Sequence, residues 1–123
     1  MKVRVFATSR YEQEVRRLLV EPEQAALQLA IAADPEAHPI VPGAGGVRKA
    51  RWARQNRGKS GGVRVIYYYW RTIKEIATQV LDREVYLLSI YAKNEQSDMT
   101  AADRKAAKKF VEGLKNAKKQ AGN

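Results

Sequence analysis

The chain has 123 residues, enough for one hydrophobic core and too few for two, so a single domain over residues 1–123 is expected. Cysteine is absent, which excludes disulfides, thiolate metal sites and cysteine nucleophiles together. The net charge is +10; the opening MKVRVFATSR holds no signal-like apolar run, and nowhere stand the ~18 consecutive apolar residues of a membrane span, so a soluble cytoplasmic protein is expected.

Val3, Val5 and Ala7 alternate with Lys2, Arg4 and Phe6, a short strand pattern. Ser9 with Glu12 reads as a capping box that opens a first helix, with Tyr11, Val15, Leu18 and Leu19 at helical spacing. Pro22 suits the first turn of a second helix, whose Leu27, Ala30 and Ile31 line one side until Asp34 and Pro35 end it. The two helices are expected to form a hairpin over a sheet. Residues 37–46, AHPIVPGAGG, read as a connecting loop. Residues 47–54 (VRKARWAR) and 62–70 (GVRVIYYYW) read as strands joined by the turn QNRGKSG, and 85–92 (VYLLSIYA) is the most apolar strand. Three antiparallel neighbours are the simplest arrangement. Residues 71–84 fit two readings: Ile73, Ile76 and Val80 have helical spacing, while Thr78 to Leu81 would equally extend the following strand, so the segment takes no assignment. Thr100 with Asp103 makes a capping box for a last helix, whose apolar stripe is Ala107, Phe110, Val111 and Leu114 and whose other faces are rich in lysine. The order β-α-α-β-β-β-α defines a small α+β domain.

Charge is distributed less evenly than structure. Lys plus Arg against Asp plus Glu runs 5 to 6 over residues 1–37, 9 to 0 over 38–74, 2 to 5 over 75–100 and 7 to 2 over 101–123. Blocks this one-sided attract phosphate backbones or acidic protein partners through a force that salt weakens. Within them, the two-residue period of a strand puts Lys49 with Arg51 on one face, Arg64 with Ile66, Tyr68 and Trp70, and Tyr91 with Ser89 and Lys93. Leu88 and Ile90 fall to the opposite face as core candidates. If the polar faces coincide, Lys49, Arg51, Arg64, Tyr91 and Lys93 surround one concavity, open to solvent or ligand because five such groups cannot lie unpaired in an apolar core. A plain cation-decorated sheet face is the alternative.

Three other signals carry less. Gly58, Lys59 and Ser60 echo the end of a phosphate-binding loop, but Ala53 stands where its first glycine belongs and a strand follows instead of a helix. His38 is the only histidine and reads as a solvated side chain, so neither metal nor cofactor is called for. Tyr67, Tyr68 and Tyr69 point alternately to the two faces, so at least one packs in the core and the others are left to stack on bases.

GAGGVRKARWA (43–53) with GKSGGVRVIYYYW (58–70), and then YLLSIYAKNEQSDMT (86–100), closely resemble the RelE/ParE superfamily of type II toxins, most nearly its HigB-like branch. The resemblance covers about residues 40–70 and 85–114; the N-terminal strand and hairpin match only in element order. It implies a RelE-like fold: a small antiparallel sheet of about four strands with an N-terminal helical hairpin and a C-terminal helix. It further implies a ribosome-dependent endoribonuclease that cuts messenger RNA and is neutralised by a cognate antitoxin, often a HigA-like helix-turn-helix protein. Its strand arginine falls on Arg64, its basic pair on Lys49 and Arg51 (or Arg48 with a one-residue shift), and the basic residue after the last strand on Lys93. Where relatives place a further arginine, tyrosine or histidine, this chain has Asn94, Glu95, Gln96 and Ser97, so the proton-transfer partner is open.

The residue chemistry points the same way. Metal-free RNA cleavage uses the neighbouring 2′-hydroxyl as nucleophile and needs fixed cations on the scissile phosphate and a group that moves protons. Arg64 is the natural clamp, Lys93, Lys49 and Arg51 add charge, and Tyr91 is a candidate for stacking or proton transfer, with Glu95 a less favoured base. Arg48, Arg54, Arg57, Lys59, Tyr68, Lys108 and Lys109 are candidates for RNA or ribosome contact. Two rival readings stand beside the nuclease: a ParE-like gyrase inhibitor without nuclease activity, and a noncatalytic nucleic-acid-binding module.

Overall fold

The computed structural model describes residues 2–54, 62–74 and 79–121. Strand β1 (Arg4–Ala7) leads into helix α1 (Ser9–Leu18) and helix α2 (Glu21–Ala33); strands β2 (Arg48–Trp52), β3 (Val63–Lys74) and β4 (Gln79–Ala92) follow, and helix α3 (Ala101–Ala121) closes the chain. This is the expected α+β order. The strands lie in the order β1-β4-β3-β2. Neighbours β2, β3 and β4 are antiparallel, as expected, while β1 runs parallel to β4, making the sheet mixed. Part of the unassigned segment is strand, since β3 continues to Lys74 and β4 begins at Gln79 with Ile73 paired to Val80, while Ile76 and Thr78 lie outside the described residues. The 55–61 turn lies outside the described residues.

Both sheet faces are covered, which explains why 85–92 is so apolar. On one face, Tyr11, Val15 and Leu18 of α1 and Leu27 and Ile31 of α2 pack on Ala50, Val63, Val65, Tyr67, Val85, Leu87 and Ile90. Ala30, expected on the packed side of α2, is exposed. On the other face, Ala107 and Val111 of α3 bury against Val47, Ile66, Leu88, Tyr91 and Met99. Burial of this order is worth about 1.5–3 kcal/mol for each large apolar side chain. Leu88 and Ile90 therefore belong to different clusters, contrary to the expectation that they share a face. The reason is a bulge: Ile66 pairs with Ser89 but Tyr67 pairs with Leu87, so Leu88 is an extra residue that shifts the alternation.

Local signals account for the helix ends. Thr8, not Ser9, caps α1; its backbone is extended (φ −71°, ψ 158°) and its hydroxyl accepts from the Tyr11 amide at 3.1 Å. Pro22 sits in the first turn of α2 as expected. At α3 the capping box is complete: the Thr100 amide donates to Asp103 Oδ2 and the Asp103 amide to Thr100 Oγ1, both at 3.0 Å. Residues 40–46 fold back on β2, with the Val41 amide donating to the Val47 carbonyl at 2.8 Å, and the loop buries Ala44 beneath α3. A Cβ at Gly45 would stand 3.0 Å from the Lys108 Cα, so backbone meets backbone there.

The far end of α3 is held differently. Glu84 on β4 is 2% exposed, and its carboxylate accepts from Lys118 of α3, from Arg4 at 2.7 Å and from the Tyr86 hydroxyl at 2.7 Å. Lys118 also stands 5.9 Å from the centre of the Trp70 ring. Among the described residues no helix is long and apolar enough to cross a membrane.

Candidate functional site

The ladder assembles the site. Arg51 on β2 pairs with Arg64 on β3, and Arg64 pairs with Tyr91 on β4, giving a straight row across three strands. One step along, Lys49, Ile66 and Ser89 form the next row on the same face. Side chains at directly opposed positions start roughly 5 Å apart, so Arg51 and Arg64 set two cationic side chains at neighbouring positions, and Arg64 also donates to the Val63 carbonyl at 3.2 Å. The one-residue ambiguity on β2 resolves with them. Arg48 pairs with Tyr67, on the hairpin side, and donates to the carbonyl oxygens of His38 at 2.7 Å and Glu36 at 3.2 Å, leaving Lys49 and Arg51 on the site face.

Lys93 follows directly after β4. Its amide donates to the Gly62 carbonyl at 3.0 Å, and its ammonium donates to the Ser97 carbonyl at 2.8 Å. Gly62 has φ +69°, and a Cβ there would run into the Trp52 carbonyl oxygen, so only glycine lets β3 start this close to β2. The glycine before VRV thus places both Arg64, two residues on, and Lys93 across the ladder.

Tyr91 departs from the open concavity expected of this face. It is 8% exposed, packed under α3 with Ile66, Met99 and Ala107, and its hydroxyl is buried with no hydrogen-bond partner among the described residues. Burial, then the charges of Asp98 and Asp103, push its pKa up against the opposing pull of Arg64 and Arg104. Tyr91 is therefore a neutral phenol at working pH, able to donate a proton and too enclosed to stack on a base.

Around these residues lies a network the sequence reading passed over. Asp98 Oδ1 accepts from the Met99 amide at 2.7 Å and faces the Lys49 ammonium at 3.4 Å; Oδ2 faces Arg104 at 3.2 Å. Arg104 also donates to the Met99 carbonyl at 2.9 Å. The Met99 amide first, with Lys49 and Arg104, holds the Asp98 carboxyl below its ordinary pKa. Asp103, bound by Arg10 at 2.8 Å, by Gln96 and by the Thr100 amide, has its pKa lowered to about 2 although burial pulls the other way. No spacing rule pairs Lys49 with Asp98, because they meet only through the fold; the Asp98 and Arg104 pair spans the helix start and follows no i, i+4 pattern either.

The remaining candidates are placed as follows. Glu95, the less favoured base, is bound by Arg17 of α1 at 3.0 Å through both of its oxygens. Tyr68 is half-buried against the α3 cluster, whereas Tyr67 is fully buried with its hydroxyl donating to the Pro35 carbonyl at 2.7 Å. His38 is half-buried, edge-on to Tyr67 at 6.1 Å, rather than solvated. Arg54 is half-buried just beyond β2. Lys108 and Lys109 are both exposed; Lys108 lies against Gly45, and Lys109 borders an apolar groove of about 460 Å³ with Phe6, Tyr86 and Phe110. Arg57 and Lys59 lie outside the described residues.

The whole is a small α+β fold with a cationic row across its mixed sheet, covered by a lysine-rich helix. The family model described as the RelE toxin of the RelE/RelB toxin–antitoxin system matches residues 3–121, and the chain belongs to that family. It is thus a toxin of the two-component kind, whose system supplies an antitoxin as partner.

Proposed function

We propose that this single-domain toxin is a ribosome-dependent mRNA endoribonuclease of the HigB-like branch, acting in the cytoplasm without a metal and neutralised by a HigA-like helix-turn-helix antitoxin. The observation that carries the reading is the row Arg51, Arg64 and Tyr91 on three adjacent strands, flanked by Lys49 and Lys93. Two arginines and two lysines suit a phosphate passing through extra negative charge, and a protonated phenol suits the departing oxygen.

In this mechanism the RNA 2′-hydroxyl gives up its proton to water and attacks the adjacent phosphorus. The bond from phosphorus to the 5′-oxygen breaks, and a 2′,3′-cyclic phosphate forms beside a new 5′-hydroxyl end. Arg64 grips the phosphate oxygens through its fork of N–H donors, and Arg51, Lys49 and Lys93 offset the developing charge. Tyr91 is the candidate proton donor to the leaving 5′-oxygen, a role that requires RNA binding to uncover its buried hydroxyl. Arg54, Tyr68, Lys108 and Lys109 are further candidates for RNA or ribosome contact, as are Arg57 and Lys59 outside the described residues, and Arg48 braces the 36–38 loop.

The test is translation of a defined message with purified ribosomes, mapping new RNA ends for the wild type and for Arg64→Ala. The expected result is ends that require ribosomes and fall about 10²–10³-fold in the variant. Intact message with gyrase inhibited instead would establish the ParE-like reading, and salt-sensitive RNA binding without new ends would leave a noncatalytic binding module.

A further inference from the structure

The Asp98 carboxylate stands within a cationic site meant for a polyanion, which calls for an explanation. Two roles are open to it: a placeholder that the RNA phosphate displaces, or a fixed post that positions a cation. The hydrogen bonds separate them. Asp98 is tied to its own turn by the Met99 amide at 2.7 Å, and Arg104 clips the same turn by reaching both the Asp98 carboxylate at 3.2 Å and the Met99 carbonyl at 2.9 Å. Displacing the carboxylate would break the short Met99 amide bond on the same Oδ1 that Lys49 approaches, and the Arg104 contact on Oδ2. Lys49, by contrast, reaches it by one long contact of 3.4 Å, while its amide is fixed by the Pro39 carbonyl at 3.0 Å. The carboxylate is the anchored partner and the ammonium is the one that is aimed. A flexible four-carbon side chain gains most from such an anchor, because free rotation would spread its charge over many positions.

We propose that Asp98 is a positioning residue that fixes the Lys49 ammonium beside the Arg51, Arg64 and Tyr91 row, with Arg104 holding Asp98 in place from the first turn of α3. The arrangement ties the α3 start to the β2 edge through one carboxylate, so the site is complete only when the 93–100 loop is seated. Asp98 adds a negative charge to an RNA-binding face; that cost in affinity is offset by a better-placed cation when charge builds on the phosphate. The part concerning cleavage rests on the proposed nuclease activity.

The test uses the full chain with Asp98→Asn and Asp98→Glu and reads three quantities: melting temperature, the split between maximal rate and KM for ribosome-presented message, and the rate of Lys49 acylation followed by mass spectrometry. Asparagine keeps an acceptor for the Met99 amide but loses the charge. The expected result for Asp98→Asn is a melting temperature near wild type, a maximal rate down ~10–100-fold with KM unchanged or lower, and Lys49 acylated several-fold faster. Asp98→Glu is expected to recover most of the rate. Cleavage equal to or faster than wild type in Asp98→Asn would overturn the proposal in favour of the placeholder role. Equal loss of rate and melting temperature in both variants would reduce Asp98 to a fold-supporting residue. Should the wild type release no RNA ends, the nuclease reading fails by itself, and Lys49 acylation still decides whether Asp98 holds that ammonium: an unchanged rate refutes it, a raised rate supports it.

Discussion

Replacing Lys118 with alanine tests whether a buried charge cluster clamps the far end of α3. The Glu84 side chain is 3% exposed and that of Lys118 28%, so the carboxylate is the desolvated partner. Breaking a buried pair by removing one side costs about 3–5 kcal/mol when the remaining charge is left alone. Here Glu84 keeps Arg4 and the Tyr86 hydroxyl, each at 2.7 Å, so the loss should be nearer ~2 kcal/mol, including the contact of Lys118 with Trp70. For a domain of this size that corresponds to a fall in melting temperature of roughly 6–10 °C. Equilibrium urea unfolding followed by circular dichroism measures it at pH 7. Burial pushes the Glu84 pKa up, but the hydrogen bonds and charges of Lys118, Tyr86 and Arg4 outweigh it and leave the pKa below its ordinary value of 4.5. A depressed folded-state pKa means the stabilisation is fully present above the ordinary value and disappears as pH falls through the lowered one. The gap between wild type and Lys118→Ala should therefore be constant from pH 7 to about 5 and shrink below pH 4.5. A variant within ~0.5 kcal/mol of wild type at pH 7, or a gap that grows on acidification, would refute the clamp.

Gly62→Ala should destabilise by ~2–3 kcal/mol in a thermal melt, since it combines a positive φ with a collision at the Trp52 carbonyl, and it should also lower RNA cleavage by shifting Lys93. Two tyrosines make a contrasting pair in urea unfolding. Tyr67→Phe loses the bond to the Pro35 carbonyl and should cost ~1–2 kcal/mol. Tyr11→Phe removes a buried hydroxyl that has no partner among the described residues, and whose burial raises its pKa to about 12, and should be neutral or stabilising by up to ~1 kcal/mol. A loss above 1 kcal/mol for Tyr11→Phe would show that its hydroxyl is satisfied in solution.

How far the sequence could be read depended on whether a signal was local. Thr100 with Asp103 and Pro22 were legible because capping and first-turn chemistry act within four residues. The cap of α1 was misplaced by one residue because Thr8 and Ser9 carry the same hydroxyl chemistry and only the extended backbone of Thr8 separates them. Arg64 and its strand neighbours were legible by the period of two, which also put Lys49 and Arg51 on one face. Period-two counting failed at Leu88, where one bulged residue changed the side to which the chain points.

By itself, then, the sequence determined the element order, the capping box of α3, the cationic strands and, through its strand motifs, the likeness to a toxin family that the family match bears out. Each of those is written in short-range spacing or composition, which a chain carries before it folds. The tertiary structure alone decided that β1 lies parallel at the edge, that Tyr91 is enclosed, that Glu84 receives Lys118 from 34 residues away and that Asp98 faces Lys49 from 49 residues away. Such pairings depend on which surfaces meet when both faces of the sheet are covered, and loop closure over long separations leaves no periodic trace in the sequence.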